Sequence, residues 1–376
     1  MSDKVLHIIT HDVPWPADFG GVMDLFYKIK TLHQEGVSIH LHCFVKNRPP
    51  QAELNKYCQS VHYYQRKKVK GISFRLPYIV SSRINQELED RLLQDQHPIL
   101  IEGVHCSHLL LNKQFLGRKI LLRLHNTEFE YYHHLALLEK QPIKRLYYQL
   151  ESFLLKRYEK KIANSVSIAA VSEQDVQIYH TQLGASKIFH LPVFIPFTHA
   201  DGKPGQGSFC LYHGNLSINE NEQAAVWLLQ EVFNKIKIPF VIAGKQPSQK
   251  LEIMAHQQDH TCLVADPSDK ELHDMIAKAQ LNILPSFNGT GVKLKLINAL
   301  YNGRHCLVNK AGVEGSGLED LCSIATDAES FAEAITQLYY QPYDAMENEI
   351  RQEVLSAHHN NQQLAEKLID FFWQKL

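Results

Sequence analysis

The chain has 376 residues, a length that suggests about two domains, and 44 % of them are apolar, ample for two packed cores. Lysine and arginine number 39 against 40 acidic residues, a formal net charge of -1, so the overall balance points away from nucleic acid. Seven cysteines stand singly without a CxxC pair, which indicates neither a zinc cage nor a disulfide framework and fits a reducing cytosol.

The opening "MSDKVLHIITHDVPWP" has too short an apolar stretch for a signal peptide, and no apolar run approaches the ~20 residues of a membrane span. A cytoplasmic location is expected. Short apolar runs then alternate with helix-period segments. Strands are expected over residues 5–10, 38–45, 61–64, 99–102, 119–124, 166–171 and 188–191. Helices are expected between them, at 22–34, 86–94 and 172–182 among others. Such alternation implies parallel βαβ units and a doubly wound sheet. The texture changes at 193–207, where prolines and glycines replace periodicity, and this reads as a linker. Alternation then restarts, with strands at 210–214, 240–243, 262–264, 281–284 and 306–308. Helices are expected there at 222–233, 249–257, 270–279 and 292–301. The reading is therefore an α/β chain of two Rossmann-like doubly wound domains, 1–192 and 208–355, facing across a cleft. An amphipathic helix within 356–376 crosses back to the N-terminal domain. Open sheets of this kind bind ligands at the carboxyl ends of their strands, so residues that directly follow strands matter most.

Several such residues bear chemistry. Gly20-Gly21 lies in the first strand–helix loop, where backbone can touch a phosphate or sugar. It is not a G-x-G-x-x-G fingerprint, which argues against NAD or FAD. Glu102 ends one strand, and His125-Asn126 follow another; a neutral imidazole there can bond a hydroxyl or meet developing charge. The segment "KQPIKRLYYQLESFLLKRYEKKI" forms a basic, aromatic helix with a stripe of Leu146, Leu150, Phe153, Leu154 and Tyr158. Two readings stand for it: a helix facing the core with a solvated basic side, or contact with an anionic membrane surface. Ser172 caps a helix whose first turn is acidic. In "LNILPSFNGTGVKLKLINALYNG", Gly289-Thr290-Gly291 links a strand to a helix carrying Lys293, Lys295 and Asn298. Glycines, a helix N-terminus and lysines at one point suit an anion, most often a phosphate.

Together these stretches resemble the retaining GT-B glycosyltransferases of family 4 over nearly the whole chain. "WPADFGGVMDLFYKIKTLHQEGVSIHL" is similar to that family's opening loop, helix and second strand. "RYEKKIANSVSIAAVSEQD" and "LYHGNLSINENEQAAVWLLQEV" are similar to later segments. "LPSFNGTGVKLKLINALYNGRHCLVNKAGVEGSGL" resembles its donor segment. The resemblance implies sugar transfer from a nucleotide-sugar donor to a glycan, lipid-linked or small-molecule acceptor, with retention and no metal, and peripheral membrane contact. By match to the motifs, Gly20 and Gly21 would face the donor phosphate or the acceptor. His125 would be the N-domain histidine near the donor sugar. Lys295 would hold the diphosphate, with Gly289, Thr290 and Gly291 on the sugar side. Gly214 and Asn215 would line the cleft wall, and Glu314 would border the next loop. The chain departs from the family in carrying Asn298 where a ribose-binding glutamate is usual, and Thr290 at the partner glutamate position. It also has "NLSINEN" where an arginine or lysine often follows Gly214. The diphosphate then relies on Lys295, Lys293 or Lys245 and on backbone donors. Two other activities fit such an architecture: a nucleotide-sugar 2-epimerase and a non-catalytic sugar-binding protein.

Overall fold

The computed structural model describes residues 4–17, 20–45, 48–67, 75–289 and 291–374. It comprises two compact units. The first runs to Pro196 and takes in Gly291, Val292 and the chain from His359. The second holds Phe197–Gly289 and Lys293–His358.

In the first unit, seven parallel strands form one sheet: β1 Val5–Thr10, β2 Ser38–Val45, β3 Ser60–Gln65, β4 Ile99–Glu102, β5 Ile120–Leu124, β6 Ser167–Ala170 and β7 Ile188–His190. Their spatial order is β3-β2-β1-β4-β5-β6-β7, so the winding reverses between β1 and β4. The central strands bury apolar side chains on both faces, which is why they read as apolar-rich runs. Ile9, Ile99, Ile101 and Leu122 pack on one side of the sheet. Leu6, Ile8, Leu100 and Leu121 pack on the other, against Phe26, Ile29 and Leu32 of the Gly20–Gln34 helix. Leu364, Leu368 and Phe372 of the Asn361–Trp373 helix join that second core, so the C-terminal helix does return to the N-terminal sheet. Asn361 pins its start, accepting from Ile195 N at 3.0 Å and donating to Ile195 O at 2.7 Å.

Three features differ from expectation. The helix expected over 172–182 is α-helical only over Glu173–Ile178, then widens into a π turn at Tyr179–Leu183 that Gly184 ends with φ +72°. A further helix, Glu128–Leu138, precedes the basic Pro142–Ile162 helix. The apolar stripe of the basic helix splits: Leu154 and Tyr158 are buried, whereas Leu146 is 67 % and Phe153 58 % exposed.

The second unit has six parallel strands: β8 Cys210–Asn215, β9 Phe240–Lys245, β10 Thr261–Ala265, β11 Leu281–Ile283, β12 His305–Val308 and β13 Ser323–Ile324. The order is β10-β9-β8-β11-β12-β13, with the winding reversed between β8 and β11. Tyr212, Phe240, Ile242 and Ile283 pack with Phe331 and Ile335 on one face. Leu211 and Ala243 pack with Ile276 on the other. The stretch 193–207 is not a free tether. Phe194 and Ile195 are buried in the first unit, and Gly207 N donates to Gln280 Oε1 at 2.6 Å in the second.

Candidate active site

The Gly20–Gln34 helix begins at Gly20, so Gly20 and Gly21 form its first turn rather than a loop. No acidic residue in that turn offsets the positive end of the helix dipole. Asp24 and Lys28, one turn apart on this helix, both point into the sheet. Lys28 Nζ lies 3.0 Å from Asp24 Oδ2 and 2.7 Å from Glu102 Oε1, all three buried. Arg123 on β5 pairs with Asp24 at 3.2 Å, and Phe194 N donates to Asp24 Oδ1 at 2.7 Å. Burial alone would raise both carboxyl groups; Arg123 and Lys28 reverse this for Asp24, and Lys28 and His125 for Glu102, so both stay ionised. His125, just past β5, meets Glu102 Oε2 through Nε2 at 2.9 Å. Its Nδ1 is 3.7 Å from Asp24 Oδ2. Asp24, Glu102 and His125 could in principle gather round a cation, yet Lys28 and Arg123 already answer the two carboxylates, so the group is an ion-pair network that fixes the His125 ring.

Two more imidazoles flank it. His11 follows β1 and stacks on His105 with ring centres 5.1 Å apart; it meets the edge of His125 at 5.7 Å. Burial lowers His11 to about 3, so it is neutral at pH 7. Glu128 Oε1 lies 3.8 Å from His105 Nδ1, and burial, with Glu159 and Asp175 nearby, pushes its carboxyl up to about 8. The cluster thus collects neutral hydrogen-bonding groups above a charged, balanced floor at the carboxyl ends of β1, β4 and β5.

In the second unit the Leu294–Asn302 helix starts two residues later than expected, with Lys293 as its N-cap. No side chain caps it and its first turn has no acid, so its positive end is not offset locally. Lys295 Nζ sits 3.3 Å from Asn221 Oδ1 and 5.0 Å above the centre of the buried Tyr212 ring. Among the described residues this ammonium makes no ion pair. Burial lowers it from 10.5 to about 8; Glu220 pulls it up and Lys293 pushes it further down. His213, beside it on β8, is lowered by burial and by Lys295 to about 3, and its buried Nε2 has no hydrogen-bond partner among the described residues. Gly214 and Gly244 let β8 and β9 approach closely: a Cβ on Gly244 would lie 2.0 Å from Gly214 O.

The predicted residues fall into groups. Lys293, Lys295 and Gly214 assemble at the carboxyl ends of β8 and β11, beside the reversal in winding. Gly289 leads into this point, and Thr290 lies outside the described residues. Gly291 has φ +65°, and a Cβ there would come within 2.2 Å of Asn126 Oδ1 and 2.8 Å of the His125 carbonyl oxygen. Asn215 turns its Oδ1 onto its own loop, accepting from Ser217 N at 3.1 Å and Oγ at 2.7 Å. Lys245 ends β9, and its carbonyl accepts from Leu216 N at 2.9 Å. Asn298 accepts from Asn302 Nδ2 at 2.8 Å, so its amide is engaged within its own helix. Glu314 caps the Lys310–Val313 helical turn. Sequence reasoning missed Asp24, Lys28, Arg123, Tyr212 and Asn221, whose roles come from tertiary pairing; charged residues inside otherwise apolar helix and strand segments were the signal available.

Residues 208–341 match the family model described as glycosyl transferases group 1. A 44.6 kDa protein in the cps region of Klebsiella pneumoniae is 28 % identical over 348 residues, covering 87 % of this chain and 89 % of that one. The TarM crystal structure superposes with a TM-score of 0.71 at 11 % identity, covering 99 % of both chains. A variant of S. aureus TarM was solved with fondaparinux, alpha-GlcNAc-glycerol and UDP. WaaG, a glycosyltransferase involved in lipopolysaccharide biosynthesis, superposes with a TM-score of 0.65 at 11 % identity, covering 98 % of this chain and 100 % of its own.

Proposed function

We propose that the chain moves a sugar from a nucleotide-sugar donor to a glycan acceptor, with retention and without a metal, a reading supported by the match of residues 208–341 to the glycosyl transferases group 1 model and by the likeness of the fold to TarM. One observation carries this reading. Lys295 is a half-buried ammonium beside an uncapped helix start, and its neighbours are an amide oxygen and an aromatic face rather than a paired carboxylate. Such a group is poised for an anion brought by a ligand, and a diphosphate has the matching charge. In the reaction the bond from the anomeric carbon to the diphosphate oxygen breaks. The acceptor oxygen bonds to that carbon, and its proton passes to the departing phosphate. Lys295 and the N–H groups that follow Lys293 stabilise the charge on the leaving group, and no side chain need act as nucleophile. His125, held by Glu102, is suited to hydrogen-bond the transferred sugar. With Asn298 tied to Asn302 and lacking a charge, the ribose hydroxyls meet an amide rather than a carboxylate.

The relative in a cps region supports a role in surface polysaccharide assembly, with the acceptor free or carried on a lipid. In the latter case the protein works at the inner face of a membrane, although no helix among the described residues is long and apolar enough to cross one.

The test is a melting series with UDP, GDP, ADP and dTDP. One of them should raise the melting temperature, since a ligand at 100 times its Kd adds about 2.7 kcal/mol. Lys295→Ala should remove most of that shift, each shift being read against the variant's own ligand-free melting temperature. A flat response to all four would remove the basis of the assignment.

A further inference from the structure

A buried cation in the first unit has no part in the transfer chemistry described above. Arg83 is 7 % exposed, and among the described residues it makes no ion pair. Two backbone carbonyls hold its guanidinium: Nη1 donates to Ile79 O at 2.8 Å and Nη2 to His11 O at 3.2 Å. Its Nε is buried with no hydrogen-bond partner among the described residues. Burial depresses it, and Arg66 adds to this. Arg66, half-buried, donates through Nε to Ser82 Oγ at 3.0 Å and lies 4.8 Å from the centre of the Tyr78 ring. It too makes no ion pair among the described residues. A cation withdrawn from water is ordinarily paired, because its desolvation is otherwise uncompensated.

The acids nearby do not answer these two guanidinium groups. Glu128 is pushed up to about 8 by burial, Glu159 and Asp175, so it carries little charge at neutral pH. Glu151 spends both carboxylate oxygens on Tyr78 N, at 3.1 and 2.9 Å. Two imidazoles complete the corner. His105 Nδ1, 3.8 Å from Glu128 Oε1, is buried with no hydrogen-bond partner among the described residues. Burial, and then Arg83, hold His105 neutral. His11 stacks on it at 5.1 Å and meets the edge of His125 at 5.7 Å. The contrast with the Asp24–Lys28–Glu102–Arg123 network is one of charge balance. There two carboxylates answer two cations; here two cations face neutral groups. An oxyanion would complete the corner, since a guanidinium presents planar N–H donors that fit a carboxylate or a phosphate. The transfer reading already assigns the donor diphosphate to Lys295 in the second unit. His11 joins this corner to His125, the ring assigned to the transferred sugar. A second anion, held on the first unit, therefore belongs to the acceptor.

We propose that Arg83 and Arg66, with His105, bind an oxyanion carried by the acceptor, so that the chain selects an acidic sugar, a uronate or a sugar phosphate, over a neutral one. That the acidic sugar is the acceptor rests on the transfer reading; the anion site itself stands on the first unit alone.

Saturation-transfer NMR on the full chain tests it, with methyl glucuronide, glucose-6-phosphate and methyl glucoside as probes. At least one of the two acidic sugars should bind about tenfold more tightly than methyl glucoside, and the tighter of the two tells carboxylate from phosphate. Arg83→Gln should weaken that acidic sugar about tenfold and leave methyl glucoside unmoved. Arg83 also ties down two carbonyls, so a second variant guards against loss of the fold. Arg66→Gln, at a half-buried position, should weaken the same probe while keeping the parent's melting temperature and its nucleoside diphosphate shift. Lys295→Ala should bind the acidic sugar as the parent does. Equal binding of all three sugars, no binding of either acid, or acidic binding that both arginine variants retain overturns the proposal. So does loss of acidic binding in Lys295→Ala, because the anion then sits at the diphosphate site. A flat nucleoside diphosphate series beside intact acidic-sugar binding counts against the transfer reading and not against the anion site.

Discussion

Lys28 and Lys295 are two lysines withdrawn from water, and they differ in what answers the charge. Lys28 touches two carboxylates at 3.0 and 2.7 Å, so its ammonium is fully occupied and serves the structure. Lys295 has an amide oxygen and a ring face, and the burial penalty shows as a fall from 10.5 to about 8. The sign of the consequence is fixed. The folded state releases this proton more readily than the unfolded chain, so the cost of burying the charge is present at pH 7 and relieved as pH rises from about 8 towards 10.5. Anion binding runs the opposite way, because only the ammonium attracts a diphosphate. The nucleoside diphosphate melting shift should therefore be largest at pH 7 and shrink on passing pH 8, and Lys295→Arg should preserve it at high pH. A shift in the parent that is independent of pH across this window would mean that the diphosphate does not rest on Lys295.

At the scale of elements, the Glu128–Leu138 helix starts without a cap from its own Thr127 side chain. Glu159, from the Pro142–Ile162 helix, caps it instead: Oε1 accepts from Glu128 N at 3.1 Å and Oε2 from Phe129 N at 2.9 Å. Tyr179 OH, from the π turn, donates to Oε1 at 2.6 Å. Asp175 accepts from Thr127 N at 2.9 Å and from Ser172 Oγ at 2.5 Å, so one buried acid network ties three helices to the carboxyl ends of β5 and β6. Glu159→Ala would strand two backbone N–H groups and one hydroxyl, and should destabilise the protein by about 2–4 kcal/mol in urea unfolding. A change below about 0.5 kcal/mol would show that water replaces the cap. Of this network only the Ser172 cap and its acidic first turn were legible beforehand. The Glu128–Leu138 segment is rich in histidine and tyrosine and lacks a clean apolar period, so it did not announce a helix. The strands did. β1, β2 and β4 were read to the residue, because strands buried on both faces leave apolar-rich runs between turn residues, interrupted here by His7, His40 and His42. Helix ends were read to within two or three residues, as at Leu294–Asn302, because capping is settled by local geometry. The candidate site divides the same way. Glycines and lysines next to strand ends could be read from order alone. The Asp24–Lys28–Glu102–Arg123 network joins residues up to 99 apart in sequence and exists only once the sheet has formed.

The whole molecule has a feature that no single element displays: its first unit is discontinuous in the chain. Leu364, Leu368 and Phe372 complete the core over Leu6 and Ile8, so the N-terminal sheet lacks part of its cover until the last helix arrives. The second unit takes its core from residues between Cys210 and Ile335, a span from which, among the described residues, Gly291 and Val292 are counted in the first unit. Leu368 is 1 % and Ile335 0 % exposed, and each belongs to a different core. Truncating either to alanine should cost about 2–5 kcal/mol locally. In a unit of 150–250 residues, each kcal/mol moves the transition by about 2–4 °C. Calorimetry should therefore resolve two transitions, with Leu368→Ala lowering one and Ile335→Ala the other. A bound nucleoside diphosphate should raise the transition that Ile335→Ala lowers, because Lys295 and the uncapped helix belong to that unit. A single transition that both substitutions move equally would mean that the two cores melt as one cooperative body, and the stability gained from the ligand would then be shared by the whole chain.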